Sequence, residues 1–254
     1  MHRLPAIVGT RRLLRLLRVL RVLRVVTLAV VALVAVAGCS VRSAGGLSPE
    51  RRRALWLDPA NPEWRRPAPA VSRLRFETTK GVFVLELVRA WGPIGADRLY
   101  NLARLGYYDD TRFHRVNKGY IAQFGLHGDP AVNAAWKGRE LPDDPPRSHN
   151  VRGTFAFSFR AMPNTRNTQV YINLANNGKN DAEAFTVLGT VVEGMAVVDS
   201  LYSGYGESSG SGVRQGRQGP LAEGGNAFVD REYPLLDRIV RVTVTTVRLR
   251  APKD

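Results

Sequence analysis

Regular alternation of apolar and polar residues begins near residue 73. Leu74-Arg75-Phe76-Glu77-Thr78 alternates, Lys80-Gly81 supplies a turn, and Val82-Phe83-Val84-Leu85-Glu86-Leu87 continues. Two such runs joined by a tight turn predict a β-hairpin. Pro93 then opens a helix through Arg104, with Ile94, Leu99, Leu102 and Leu105 at roughly helical spacing and Gly106 ending it. Short strands are predicted over 112–116, 120–124, 154–159, 169–174 and 185–192, and a second helix over 195–202. Residues 239–249 alternate Val with Arg or Thr, which predicts a long last strand with one wet face. Many strands, two helices and turn-rich connections predict a mainly β domain, a closed antiparallel barrel with helices at its ends. Two long loops stand apart, 126–148 and the Gly/Ser-rich 203–225. In the first, Asp143-Asp144 reads as a solvated turn rather than a calcium site. The second reads as mobile surface.

The N-terminal third follows a different pattern. Residues 25–38 are almost unbroken Val, Ala and Leu, and Cys39 follows at once. Charge sharpens this. The chain holds 37 Lys+Arg against 22 Asp+Glu, a formal +15, and residues 1–38 contain seven arginines and no acid. Removing those seven leaves 30 basic against 22 acidic residues, so residues 39–254 carry only +8. A basic n-region, a short apolar stretch and a small-residue exit predict a secretory signal peptide over 1–38, because fourteen apolar residues fall short of the about 20 that span a bilayer. The alternative is an uncleaved signal anchor. Val36-Ala37-Gly38-Cys39 resembles a bacterial lipobox, which implies cleavage before Cys39 and lipidation of its thiol. The expected product is an exported lipoprotein held to a membrane of the bacterial envelope, and Ser40 after the cysteine resembles outer-membrane sorting. A single cysteine excludes an internal disulfide and a Cys-rich zinc site.

Residues 39–72 read as a flexible tether. Ser43-Ala44-Gly45-Gly46 is flexible, and Pro49, Pro59, Pro62, Pro67 and Pro69 keep the chain turning. Within it, 51–57 predicts a short helix capped by Ser48. Arg51-Arg52-Arg53 and Arg65-Arg66 are open to two readings, contact with anionic lipid or plain solvation.

Two segments carry the chemistry. One is Phe113-His114-Arg115-Val116-Asn117-Lys118-Gly119-Tyr120-Ile121-Ala122-Gln123-Phe124-Gly125. The other is Pro163-Asn164-Thr165-Arg166-Asn167-Thr168-Gln169-Val170-Tyr171-Ile172-Asn173. In order and spacing they resemble the cyclophilins, a family of peptidyl-prolyl cis/trans isomerases. The family pattern is Phe-His-Arg, then Gly-Phe-Met-x-Gln-Gly, then Pro-Asn-Thr-x-x-Ser-Gln-Phe-Phe-Ile. The resemblance spans about 74–250, and 185–201 is similar to the family's last hairpin and second helix. It implies an eight-stranded antiparallel closed β-barrel capped by two α-helices over residues 73–251.

The resemblance also implies roles. Arg115 matches the arginine that donates to the prolyl nitrogen of the twisted amide. Tyr120, Ile121 and Tyr171 match the apolar slot for the proline ring. Gln123 matches the glutamine that bonds the peptide backbone, and Gln169 a glutamine lining the site. Arg160 and Ala161 correspond to the backbone rail for the peptide, and Phe185 falls where many members carry a His. Ser158-Phe159-Arg160-Ala161-Met162 departs from the small residues usual there, so Phe159 and Arg160 are expected to crowd the groove. No Trp lies between Ile172 and Phe185.

The expected partners are proline-containing polypeptides and, through Cys39, a membrane. No nucleic acid, metal or cofactor is expected, and the chain reads as a monomer. His114 and His127 read as structural, and His149 lacks a Ser or Cys nucleophile partner. The leading alternative function is a module of the same fold that holds proline segments with little turnover. A third is a basic envelope protein contacting nucleic acid or an anionic polymer.

Overall fold

The computed structural model describes residues 46–160, 162–183, 185–207 and 218–247. The expected signal peptide over 1–38, Cys39 and Ala161 lie outside the described residues. Eight strands form one antiparallel sheet: β1 (Val71–Thr78), β2 (Gly81–Val88), β3 (Arg115–Asn117), β4 (Ile121–Phe124), β5 (Thr154–Phe157), β6 (Val170–Asn173), β7 (Val187–Glu193) and β8 (Ile239–Thr246). Their order across the sheet is β3-β4-β6-β5-β7-β2-β1-β8. The sequence-predicted strands all appear, within a few residues at their ends. Most side chains of the inner face are buried, Val191 and Val244 only partly, with Phe76 stacked on Phe83 at 4.8 Å and met edge-on by Phe124 at 5.5 Å.

The sheet is a half-barrel and not the closed barrel expected. No ladder joins its end strands β3 and β8, which approach only at an isolated bridge between Arg112 and Arg238. β3 has only three residues, and just before it the Arg112 guanidinium pairs with Asp230 at 2.9 and 2.7 Å.

Asp230 belongs to a helix absent from the sequence expectation. The described residues hold five α-helices: α1 (Pro49–Trp56), α2 (Pro93–Arg104), α3 (Pro130–Trp136), α4 (Met195–Asp199) and α5 (Gly219–Glu232). The expected helices correspond to α2 and α4, and Ser48 caps α1 as foreseen, accepting from the Arg51 amide at 3.3 Å. α3 lies inside the long loop 126–148. Asp129 caps it, its side chain accepting from the Ala131 amide at 2.9 Å, and Pro130 follows at the first helical position. α5 replaces the end of the second loop. Gly224-Gly225 disguises it, because the helix kinks at Gly225 (φ 57°, ψ −154°) while Leu221 and Val229 on either side are buried.

Most of the expected tether is also packed. Trp64 is buried in the main core, meets Trp136 edge-on at 4.9 Å, and donates from its indole nitrogen to the Leu55 and Asp58 carbonyls. Trp56 donates to the Leu105 carbonyl at 3.0 Å. Buried Asn101 of α2 donates to the carbonyls of Trp64 and Arg66 at 2.9 and 2.8 Å. Two of the basic-run arginines pair with acids of the domain, Arg52 with Asp109 at 3.1 Å and Arg53 with Asp129 at 2.9 Å. Proline and arginine dominate the composition here, but two tryptophans decide the packing.

Asp143-Asp144 is a correction of a similar kind. Asp144 is 4% exposed, not solvated. Its carboxylate accepts from the Ile94 and Gly95 amides at 2.9 and 2.8 Å, satisfying the first turn of α2, and from Arg166 at 3.1 Å.

His114 and His127 are buried, and the His127 Nδ1 accepts the Asp129 amide at 2.9 Å. Burial pushes both imidazoles down, to about 4. Their unfolded value is about 6.5, so the unfolded chain binds protons first as pH falls. The stability held by these neutral rings is present above about pH 6.5 and is lost as pH falls through the folded value near 4. Between pH 7.5 and 6 we expect the pair to lose about 1.5 kcal/mol. Urea unfolding at the two pH values checks this; equal stability would contradict it.

Candidate functional site

Strand register builds the site. Arg115 of β3 lies opposite Gln123 of β4, Gln123 lies opposite Tyr171 of β6, and Tyr171 lies opposite Ala156 of β5. Side chains alternate along a strand, so these four share one face and Val116, Ala122, Ile172 and Phe155 share the core face. Asn117, Ile121 and Asn173, opposite one another two positions along, fall on the site face too. The period of two therefore gathers Arg115, Ile121, Gln123 and Tyr171 on the outside of the sheet, away from the main core.

Ile121, Ala156 and Tyr171 form a separate small apolar cluster there, with Tyr120 and Phe185 packed against it. Phe185 meets Tyr171 edge-on at 5.4 Å and Phe159 at 4.4 Å. Phe159 is only 7% exposed and packs over this cluster through Phe185. Arg160 packs elsewhere. Its exposed guanidinium pairs with Glu140, and its amide donates to the Thr165 hydroxyl at 2.9 Å. The Arg160 side chain stands apart from the cluster, and its N–H is occupied within its own loop.

A polar chain runs beside the apolar patch. The Arg115 Nη1 donates to the Gln123 Oε1 at 3.1 Å, the Gln123 Nε2 to the Gln169 Oε1 at 2.7 Å, and the Gln169 Nε2 to the Gln218 Oε1 at 2.8 Å. Gln123 is fully buried, so its amide is held in one orientation by these partners. The Arg115 Nε and Nη2 both donate to the Glu207 carboxylate, at 2.7 and 2.9 Å. The guanidinium carbon also lies 5.8 Å from the Tyr120 ring centre, and Lys179 lies over that same ring at 4.7 Å.

Buried Tyr171 donates its hydroxyl to the Asn150 Oδ1 at 2.7 Å, and burial holds the phenol neutral, well above its ordinary pKa. The Asn150 Oδ1 also accepts from Asn173 at 3.2 Å, so Tyr171→Phe leaves that oxygen one partner. We expect that variant to lose about 1 kcal/mol of stability and to keep the slot's shape. Thermal unfolding measures it; a loss above about 3 kcal/mol would mean the hydroxyl anchors more than this bond.

Seven of the sequence-predicted site residues, Arg115, Tyr120, Ile121, Gln123, Gln169, Tyr171 and Phe185, therefore converge. Asn173 was within reach of the sequence, being two positions from Tyr171 on the same strand. Asn150, Gln218 and Glu207 were not, because they arrive from loops or loop ends far away in the chain. Among the described residues no group of three His, Cys, Asp or Glu is arranged to hold a metal ion.

Residues 73–217 match the model of a family described as cyclophilin type peptidyl-prolyl cis-trans isomerase/CLD. The chain belongs to this family. Among similar cyclophilin-type isomerases, the peptidyl-prolyl cis-trans isomerase-like 1 of Neurospora crassa is 34% identical over 125 residues, covering 48% of this chain and 76% of that protein. A peptidyl-prolyl cis-trans isomerase of Acinetobacter baylyi is 30% identical over 140 residues, covering 52% of this chain and 72% of that protein. The crystal structure of a cyclophilin type isomerase from Cryptosporidium parvum superposes with a TM-score of 0.52 at 20% identity, covering 70% of this chain and 99% of that one. The cyclophilin fold is thus shared, and the matched segment contains the whole of the converged cluster from Arg115 to Glu207.

Proposed function

We propose that this cyclophilin accelerates rotation about X–Pro bonds of exported polypeptides, with Arg115 donating to the prolyl nitrogen. The observation that carries the proposal is a charged, fixed guanidinium at the edge of an apolar slot. An X–Pro amide resists rotation by about 18–20 kcal/mol because the nitrogen lone pair is delocalised into the carbonyl. In the twisted state that lone pair localises and accepts a hydrogen bond, which the planar ground state cannot do. A donor that meets only the twisted amide lowers the barrier without covalent chemistry. Ile121, Tyr171 and Phe185 hold the ring, Gln123 and Gln169 the flanking peptide, and Tyr120 closes the slot beneath the guanidinium. Arg160 and Ala161 would offer the peptide a backbone rail.

The test is refolding of a protein whose slow phase is proline isomerisation, which takes tens of seconds unassisted. A hundredth of an equivalent of this protein should speed that phase. Acceleration only at one equivalent or more would favour the second reading, a holding module. One observation supports that second reading: Phe159 lies against Phe185, and Tyr171 is 1% exposed, so a proline ring must displace Phe159 to enter.

Export and anchoring belong to the same proposal and rest on residues 1–39 alone. Intact mass of the native protein should show residues 1–38 removed and Cys39 lipidated. A full-length mass would overturn that part and leave the isomerase reading intact.

A further inference from the structure

We infer that Glu207 is a positioning residue for Arg115, supplied by a part of the chain that the two cyclophilin motifs do not include. This rests on the isomerase reading and names a determinant of its rate.

A guanidinium has five N–H donors in a rigid plane. Glu207 takes the Nε–H and one Nη2–H, a two-point grip along one edge, at 2.7 and 2.9 Å. Gln123 takes one Nη1–H at 3.1 Å. One N–H on each Nη is left, and these are the donors a peptide could meet. The carboxylate therefore sits on a different edge from the working one. It stops rotation about the side chain's last bonds without blocking the fork, and Asn117 holds the same carboxylate oxygen at 2.9 Å. Arg115 is 12% exposed on its side chain and Glu207 38%, so the pair lies at the mouth of the site and not in the core.

The turn that delivers Glu207 is itself built. The Gly206 amide donates to the Ser203 carbonyl at 3.0 Å, and Gly206 has φ +53°, a conformation that glycine adopts without strain. Tyr205 packs edge-on between Tyr202 at 5.1 Å and Tyr233 at 5.3 Å, and the Tyr202 amide donates to Asp237 at 2.7 Å. Three aromatic rings and an acceptor thus fix the turn that brings Glu207 to the arginine. An arginine fixed beforehand loses less side-chain freedom when it meets the twisted amide, so removing its clamp should slow turnover more than it weakens peptide binding.

The test compares wild type with Glu207→Ala, Glu207→Gln and Glu207→Asp on an X–Pro peptide, alongside Arg115→Ala. We expect Glu207→Ala to lower kcat about tenfold with KM and Tm nearly unchanged, and Glu207→Asp to recover part of the loss. Glu207→Gln should fall between, since one oxygen accepts where two did. Independently of activity, the Arg115 Nε–H resonance should be sharp in wild type and broadened by solvent exchange in Glu207→Ala. Equal or higher activity in Glu207→Ala would overturn positioning and mark Glu207 as an obstruction. A loss confined to KM, or one that tracks a fall in Tm, would overturn it as well. If wild type and Arg115→Ala behave as the isomerase reading requires while Glu207→Ala matches wild type, only the positioning role falls. If wild type does not isomerise the peptide, both fall together.

Discussion

Arg115→Ala should lower kcat/KM for an X–Pro peptide about 100-fold while the fold survives. One charge-assisted hydrogen bond contributes about 1.5–3 kcal/mol, which is roughly a 10- to 150-fold rate effect. The higher part of that range applies because the Arg115 side chain is only 12% exposed, so water competes weakly for its donors. The fold should survive because the lost partners have other recourse. Glu207 is 38% exposed and can hydrate, it keeps the Asn117 bond, and Gln123 keeps its bond to Gln169. Arg115→Lys should restore little, because an ammonium offers a point charge where the site holds a plane at three positions. Coupled isomerase kinetics with a parallel thermal melt measure both sides of this. A variant retaining half the wild-type rate would remove Arg115 from the mechanism. A rate gain of about 10⁵ needs roughly 7 kcal/mol, so the arginine supplies less than half of it. On the proposed mechanism the remainder would fall to the apolar slot and to Gln123 and Gln169 holding the flanking peptide.

Asp144→Ala should destabilise the protein by about 3–5 kcal/mol, the range for removing one partner of a buried ion pair. Three groups lose their acceptor at once. The Ile94 and Gly95 amides open α2 with no other side-chain cap, and Arg166, with no exposed surface, keeps Asp143 at 3.1 Å and the Pro142 carbonyl. The Asp144 carbonyl also accepts from the Thr186 hydroxyl at 2.6 Å, which ties the loop to the residue beside Phe185. Asp144→Asn is the informative control. It keeps the shape and can accept from one of the two amides, but it presents no charge to Arg166. We expect it to lie nearer to Ala than to wild type. Urea midpoints with an unchanged m-value would measure the difference. A loss below about 1 kcal/mol for Asp144→Ala would mean that Arg166 is satisfied by Asp143 alone.

These two residues mark what local sequence could and could not reveal. Arg115 was legible through the Phe113-His114-Arg115 motif and its resemblance to the family pattern, and strand pairing then placed Gln123 and Tyr171 on its face. The β1–β2 hairpin and the bounds of α2 were legible locally, since period two and a Pro at the first helical position act over a few residues. Asp144 reads locally as a polar turn before two prolines. Its burial comes from a helix start fifty residues earlier and an arginine twenty-two residues later, and no local pattern contains either. Glu207 sits in a Gly/Ser-rich run that looks like solvent-exposed loop, and only Tyr205 hints that the turn packs. The packing of 46–72 was hidden because composition averages over Trp56 and Trp64, whereas one half-buried and one buried indole decide where the chain lies. The open sheet between β3 and β8 was hidden too, because β3 spans only Arg115–Asn117 and the approach to β8 is a single long-range bridge, Arg112 to Arg238, which no local pattern contains.

The central proposal is that Arg115 drives cis/trans exchange of a bound X–Pro amide, and exchange NMR on an Ala-Pro peptide tests it most directly. With a few per cent of wild-type protein, cross-peaks between the cis and trans proline signals should appear at mixing times of tens of milliseconds. With Arg115→Ala at the same concentration they should be absent, while peptide shifts still report binding. Binding by both proteins with no exchange peaks in either would contradict the account.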